Sequence, residues 1–265
     1  MRLFLAVGAL AREGATEDLV AAGRVAHAYG LDGVWLQESP ELPAPLVAAC
    51  ALGALVPDIR IVCAVECGQD HPLALAEEAA VTDRATGGRL ALALRPAPGA
   101  EPRLGECLDL VRLALAARPF RFEGPTWRVP AGLPGNVHAR EPAVRVTPAP
   151  AQLELTVLGL GPHAQEAALA RGLGHVALGH EPPAPAAGTA IRGRAIDRGD
   201  LDLPRLLRER AAGLDLLAVS CPAGERERVA SDLARRVRPR LELAALPPGL
   251  EQHWERQGDA GWASP

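Results

Sequence analysis

Short apolar runs alternate along this chain with longer segments whose apolar residues recur at helical spacing. Arg2–Gly8 is an apolar run that predicts a first buried strand, and Gly33–Gln37 predicts a second. Ile59–Cys67 and Arg89–Leu94 predict the third and fourth. Between them, Leu19, Val20, Val25 and Ala26 share one helical face, with Thr16 as the expected N-cap. A second helix is expected over Ala44–Leu55 and a third over Pro72–Thr86. Pro72 suits a first helical turn, and Gly87-Gly88 a helix stop.

The second half continues more loosely. Leu104–Ala117 predicts a helix, and Pro119–Pro130, rich in aromatic residues, a hairpin within a long loop. Leu153–Leu160, His175–Gly179, Thr189–Ile196 and Asp215–Ser220 predict the remaining strands. Helices are expected at His163–Arg171, Leu203–Ala212 and Arg226–Val237. Strands that are apolar throughout, separated by amphipathic helices, mark a parallel sheet covered on both faces. The pattern fits both a closed barrel and a doubly wound sheet. The expected organisation is one domain over residues 1–246, with 247–265 a tail in which Trp254 and Trp262 are candidate anchors.

Composition narrows the chemistry. The chain has 265 residues, 48% of them hydrophobic, with a net charge of −4. No basic surface points to nucleic acid, and no apolar run approaches the ~18 residues of a membrane span. The N-terminal run reads as a strand rather than a secretion signal, which makes the expected location cytoplasmic. All 28 basic residues are arginine, so lysine Schiff-base chemistry and a P-loop lysine are excluded. The five cysteines are scattered and read as reduced thiols. Cys63 and Cys67, four apart on one strand, stand roughly 13 Å apart, too far for a disulfide. No HExxH, HxxxH or CxxC spacing suggests a metal.

Several phrases resemble the luciferase-like flavin monooxygenases and oxidoreductases. They are Gly30–Glu38 (GLDGVWLQE); His71-Pro72 with Leu75–Ala80, Asp83 and Gly87–Leu90; Phe120 with Phe122–Gly124 and Trp127; Leu158-Gly159; and Arg238–Leu241. The resemblance spans roughly residues 1–243. It implies an α/β fold, a (β/α)8 TIM-type barrel, here shortened in its second half, between strand six and the last strand. It also implies a flavin (FMN or a deazaflavin coenzyme) at the carboxyl ends of the strands, a small-molecule substrate, and a homodimer or heterodimer. The chain departs from the family after strand two, where Ser39 follows Glu38. It departs again after strand four, where Arg95–Gly99 (RPAPG) replaces a glycine-rich turn. These departures leave two alternatives open: a flavin-free barrel enzyme for a cyclisation or rearrangement, and a non-catalytic ligand-binding or partner subunit.

The candidate site follows from strand ends. If the leucines of strand four face the helices, Ala91 and Ala93 line the interior and Arg95 stands at the mouth, ready for an anion. Glu66 and Glu38 end strands three and two. Facing inward together, they would form a pair of proton-transferring carboxylates. His71 is a further catalytic candidate, or a brace for its turn. Gly159 and Gly161 open a helix whose amides could hold a phosphate, although glycine is common there for steric reasons. Trp127, Phe120 and His138 are candidate substrate contacts in a loop that either covers the mouth or packs on the barrel.

Overall fold

A computed structural model describes residues 1–7, 14–130, 143–151, 156–179 and 191–243. The strands are β1 (Arg2–Val7), β2 (Gly33–Gln37), β3 (Arg60–Cys67) and β4 (Leu90–Pro96), then the two-residue β5 (Phe122–Glu123) and β6 (Arg128–Val129). They continue with β7 (Thr156–Leu160), β8 (Gly174–Leu178), β9 (Arg192–Asp197) and β10 (Leu216–Ser220). β5 and β6 form the expected hairpin. The other eight close into a parallel barrel in the order β1-β10-β9-β8-β7-β4-β3-β2. The barrel alternative therefore holds, and its set of strands is complete.

The helices outside are α1 (Ala15–Ala28), α2 (Pro45–Leu55), α3 (Pro72–Ala85), α4 (Leu104–Leu115), α5 (Pro162–Leu169) and α6 (Leu203–Ala211). α7 (Arg226–Asp232) runs through a π-helical turn, Leu233–Val237, into α8 (Arg238–Leu243). The N-cap of α1 is Gly14, in a left-handed conformation, and not Thr16. The first turn therefore starts two residues earlier than the threonine signal implies. The expected tail lies outside the described residues. No described helix is long and apolar enough to cross a membrane.

Period-two alternation divides the core in two. Leu3, Leu5, Val34, Leu36, Ile61, Cys63, Leu90, Leu92 and Leu94 point outward and pack with the helices. Phe4, Ala6, Trp35, Val62, Ala64, Ala93, Leu158, Val176 and Ala218 fill the barrel. Helix α2 approaches at close range because Gly53 is small: a Cβ there would lie 2.8 Å from the Thr86 methyl. Between β2 and β3 a Cβ on Gly33 would lie 1.9 Å from the Arg60 carbonyl oxygen, which admits only glycine.

Arginines tie the outer layer together. Arg89 donates to the carbonyls of Gly53 (2.7 Å) and Val56 (3.0 Å), satisfying the open end of α2. The Gly-Gly-Arg-Leu phrase is therefore scaffold. Arg226 pairs with Asp18 and Arg238 with Asp32 (2.8 Å), joining the last helices to the first β-α unit. Arg194, on the outer face of β9, is almost fully buried and pairs with Glu209 of α6 at 2.5 Å. Arg205 reaches the same carboxylate at 2.9 Å.

Candidate active site at the barrel mouth

The cross-strand registers stack the inward residues in layers contributed by alternate strands, as expected of tilted strands in an eight-stranded barrel. Trp35, Ala93, Val176 and Ala218 form one layer. Ala6, Ala64, Leu160 and Ala195 form the next toward the carboxyl ends, and Gln37, Arg95, Leu178 and Ser220 the one above. Glu66 and Asp197 stand one step higher, beside their register partners Arg95 and Ser220. The interior thus changes from aliphatic to polar within one layer. The layer beneath the change holds three small residues, Ala6, Ala64 and Ala195.

Arg95 donates through its terminal nitrogen to Glu66 Oε1 at 2.8 Å, with both side chains about one-third exposed. Its Nε is buried and has no hydrogen-bond partner among the described residues. An orphaned guanidinium N–H costs free energy unless something polar comes to it. Trp35, 1% exposed, donates through its indole nitrogen to Gln37 at 3.2 Å, fixing that amide at the rim. Across the barrel Ser220 donates to Asp197.

Glu38 does not point into the barrel beside the Glu66 carboxylate. It follows the outward-facing Leu36 in the alternation, and its Oε2 accepts the Glu66 backbone N–H at 2.7 Å. That amide has no strand partner beyond Gln37, so a carboxylate completes the ladder and the inward carboxylate pair is not formed. Glu38, Glu66 and His71 all border a cavity of about 830 Å³ between the end of β3, α2 and α3. His71 caps α3, its Nδ1 accepting the Leu73 N–H at 3.2 Å, and its ring meets Trp127 edge-on at 6.3 Å between centroids. That places His71 as a brace for its turn.

The aromatic loop packs and does not cover the mouth. Phe120 and Trp127 are 6% and 9% exposed and belong to the outer core. Glu106 of α4 anchors the hairpin by accepting the N–H groups of Trp127 (2.7 Å) and Thr126 (3.0 Å). Burying two aromatic rings against α4 gains more than exposing them to a wet rim. His138 lies outside the described residues.

The β7–α5 turn also differs from the expected phosphate cradle. A Cβ on Gly159 would lie 2.6 Å from that of Ala168, so this glycine serves helix packing. Gly161 has φ +79°, donates its N–H to Val176 at 2.9 Å, and its carbonyl lies 2.7 Å from His175 Nε2. Neither the amide nor the carbonyl of Gly161 is left over. Among the described residues no three His, Cys, Asp or Glu side chains gather to hold a metal.

Gln37, Asp197 and Ser220 were missing from the sequence candidates. Their signal was position alone: each has the inward parity at the last residue of a strand. β9 runs to Asp197, one residue beyond the expected end at Ile196.

The buried Arg95 Nε, without a hydrogen-bond partner among the described residues, is suited to an anionic group. The profile of the luciferase-like monooxygenases matches residues 3–203. A comparison with curated proteins found no match. Among solved structures the chain is similar to the monooxygenase RslO1 of Streptomyces bottropensis, with a TM-score of 0.65 at 17% identity, over 90% of this chain and 99% of that one. The coenzyme F420-dependent tetrahydromethanopterin reductase of Methanopyrus kandleri gives 0.63 at 11% identity, over 91% and 100%. The oxygenating constituent of the Pseudomonas putida 3,6-diketocamphane monooxygenase, solved with FMN, gives 0.53 at 17% identity, over 67% and 57%. At these identities the structural likeness is one of fold; the profile match carries the assignment, and the chain belongs to the luciferase-like monooxygenase family.

Proposed function

We propose that this protein is a flavin-dependent oxidoreductase or monooxygenase acting on a small organic metabolite at the carboxyl ends of the barrel strands. The observation that carries this reading is the buried Nε of Arg95, without a hydrogen-bond partner among the described residues, above a layer of alanines. FMN or a deazaflavin coenzyme would be held there by Arg95 through an anionic group. When bound, such a cofactor supplies the redox chemistry, and the protein contributes orientation, dryness and charge.

In this reading the chain's own residues have distinct tasks. Arg95 holds the anion, and Glu66 keeps the guanidinium aimed across the mouth. Glu66 takes up or returns a proton at Oε2, its other oxygen being engaged by Arg95. Glu38 is a positioning residue: by accepting the Glu66 N–H it fixes the end of β3. The Trp35 indole holds the Gln37 amide at the rim, where it can meet polar edges of a ring.

The test is a titration of the purified protein with FMN and with a deazaflavin, followed by absorbance and fluorescence. Binding of one of them, weakened in Arg95→Met, supports the reading, and failure of both to bind overturns it. One observation favours a second reading, a flavin-free barrel enzyme for a non-redox step. The Gly161 amide and carbonyl are both used internally, so the β7–α5 turn offers a phosphate little. Turnover without bound flavin and without a redox partner would establish that alternative.

A further inference from the structure

The mouth holds a second polar pair that no feature of the sequence had singled out. Asp197 and Ser220 are direct register partners at the ends of β9 and β10. In the closed order of eight strands, the β9–β10 seam lies half-way round from the β3–β4 seam. A half-turn about the barrel axis therefore exchanges Glu66 with Asp197 and Arg95 with Ser220, at equal heights in the register. One side of the mouth carries an acid with a cation. The other carries an acid with a hydroxyl.

The difference matters because it leaves one carboxylate unneutralised. Arg198, next in sequence, pairs with Glu225, and no cation pairs with Asp197 among the described residues. Asp197 also stands at the N-cap position of the 3-10 turn Arg198–Asp200, yet its side chain makes no capping bond. Aspartate at such a position ordinarily bonds the following amides. Here the carboxylate accepts from Ser220 instead. The alternation of β9 fits this aim: Ile196 belongs to the outer core, whereas Ala195 packs against the inner one, and Asp197 repeats that inward parity.

We infer that Asp197 and Ser220 form a substrate-recognition site facing Arg95 across the mouth, and that it takes a hydrogen-bond-donating group, a protonated amine or a hydroxyl. The ligand it selects is a small organic molecule with an anionic or acceptor end toward Arg95 and a donor end toward Asp197. Asp197 accepts the donor's hydrogen, and Ser220 can rotate its own hydrogen toward an acceptor on the same group. The inference rests on the mouth being the ligand site, and it holds with or without a flavin.

A matched pair of probes tests it. 4-(Aminomethyl)benzoate carries a carboxylate and an ammonium across a ring, and 4-ethylbenzoate keeps the shape without the donor. Calorimetry on the full chain should show the amine bound about tenfold more tightly than the ethyl compound, the scale of one charge-assisted hydrogen bond. Asp197→Asn should abolish that preference while leaving 4-ethylbenzoate affinity unchanged. Ser220→Ala should reduce the preference, and it guards against a folding defect in the first variant. Arg95→Met should weaken both probes equally. Equal affinities in the wild type, a preference that survives Asp197→Asn, or no binding of either probe at millimolar concentration overturns the inference. An FMN titration run alongside keeps the outcomes apart. FMN binding without the amine preference sinks this assignment alone, and the preference without FMN binding sinks the flavin reading alone.

Discussion

Glu66 and Arg95 are direct partners across β3 and β4, and their side chains meet at 2.8 Å on the axis side of the barrel. The pair is held from behind. Glu38 fixes the backbone of Glu66, and Cys67 accepts the Ala97 N–H at 3.0 Å, keeping the two strand ends in register. Glu66 ends inside the barrel because the alternation that turns Val65 and Cys67 outward leaves it no other side.

Arg95→Met should separate binding from stability. Both partners are about one-third exposed, so the lost ion pair is screened and costs within ~1 kcal/mol of stability. The loss of a charge-assisted contact to a bound anion should lower FMN affinity about tenfold or more. Thermal denaturation and a flavin titration on the same sample check both halves. An unchanged affinity would remove Arg95 from the binding site.

Gly159→Ala should destabilise the barrel without any ligand present. The new methyl would lie 2.6 Å from the Ala168 Cβ and 3.0 Å from the Ala164 carbonyl oxygen, in the contact between β7 and α5. Forcing helix and strand apart costs about 1–3 kcal/mol. Urea denaturation reads this directly, and wild-type stability in the variant would show that α5 moves freely.

The halves of the chain differ in how plainly the sequence speaks. β1 to β4 are long apolar runs bounded by turn residues, and α3 carries both a Pro start and a Gly-Gly stop, so each element is visible on its own. The alternation of β4 was also enough to turn Arg95 inward. The fates of Glu38, Trp127 and Gly161 were not visible, because each depends on a partner distant in sequence or on a backbone bond. Glu38 bonds an amide 28 residues away, and the Trp127 hairpin hangs on Glu106. Gly161 is consumed by bonds to His175 and Val176 of β8, a pairing that no local pattern announces. Asp197 and Ser220 are not legible as site residues, because an acid or a serine at a strand end looks like ordinary surface until the register shows which side it faces.

Glu209→Gln should be among the most damaging substitutions outside the mouth. Arg194 is 1% exposed, and its Nε and a terminal nitrogen both donate to the Glu209 carboxylate. Neutralising that acid strands a buried guanidinium, which typically costs about 3–5 kcal/mol. A fall in the urea midpoint with an unchanged slope is the expected result. A midpoint equal to wild type would mean that water or another acid reaches Arg194.

Trp127→Ala should act on stability and leave binding at the mouth alone. The ring is 9% exposed within the outer core, and truncating a buried tryptophan costs about 3–5 kcal/mol. At a temperature where the variant is folded, its affinity for FMN should match wild type. A selective loss of binding would instead return the aromatic loop to the mouth.

The buried thiols should make the protein less stable in alkali. Burial pushes the Cys63 thiol well above its ordinary range, with a further upward push from Cys50. The hydrogen bond with Cys107, and then burial, do the same for Cys67. In the unfolded chain these thiols ionise near pH ~8.5, whereas in the folded protein they keep their protons. Above that pH the unfolded state binds fewer protons than the native state, so unfolding becomes easier as pH rises. The contribution is fully present below about pH 8.5, and it weakens by about 1.4 kcal/mol per pH unit for each thiol until the folded protein also titrates. Melting curves from pH 8 to 10 should therefore slope downward, and Cys63→Ala, whatever its cost at pH 8, should flatten the slope. The same protection predicts that iodoacetamide labels only the half-buried Cys50 and Cys221 in the native protein, and all five thiols once it is denatured. Rapid native labelling of Cys63 or Cys67 would show that the outer face of β3 opens far more readily than its packing implies.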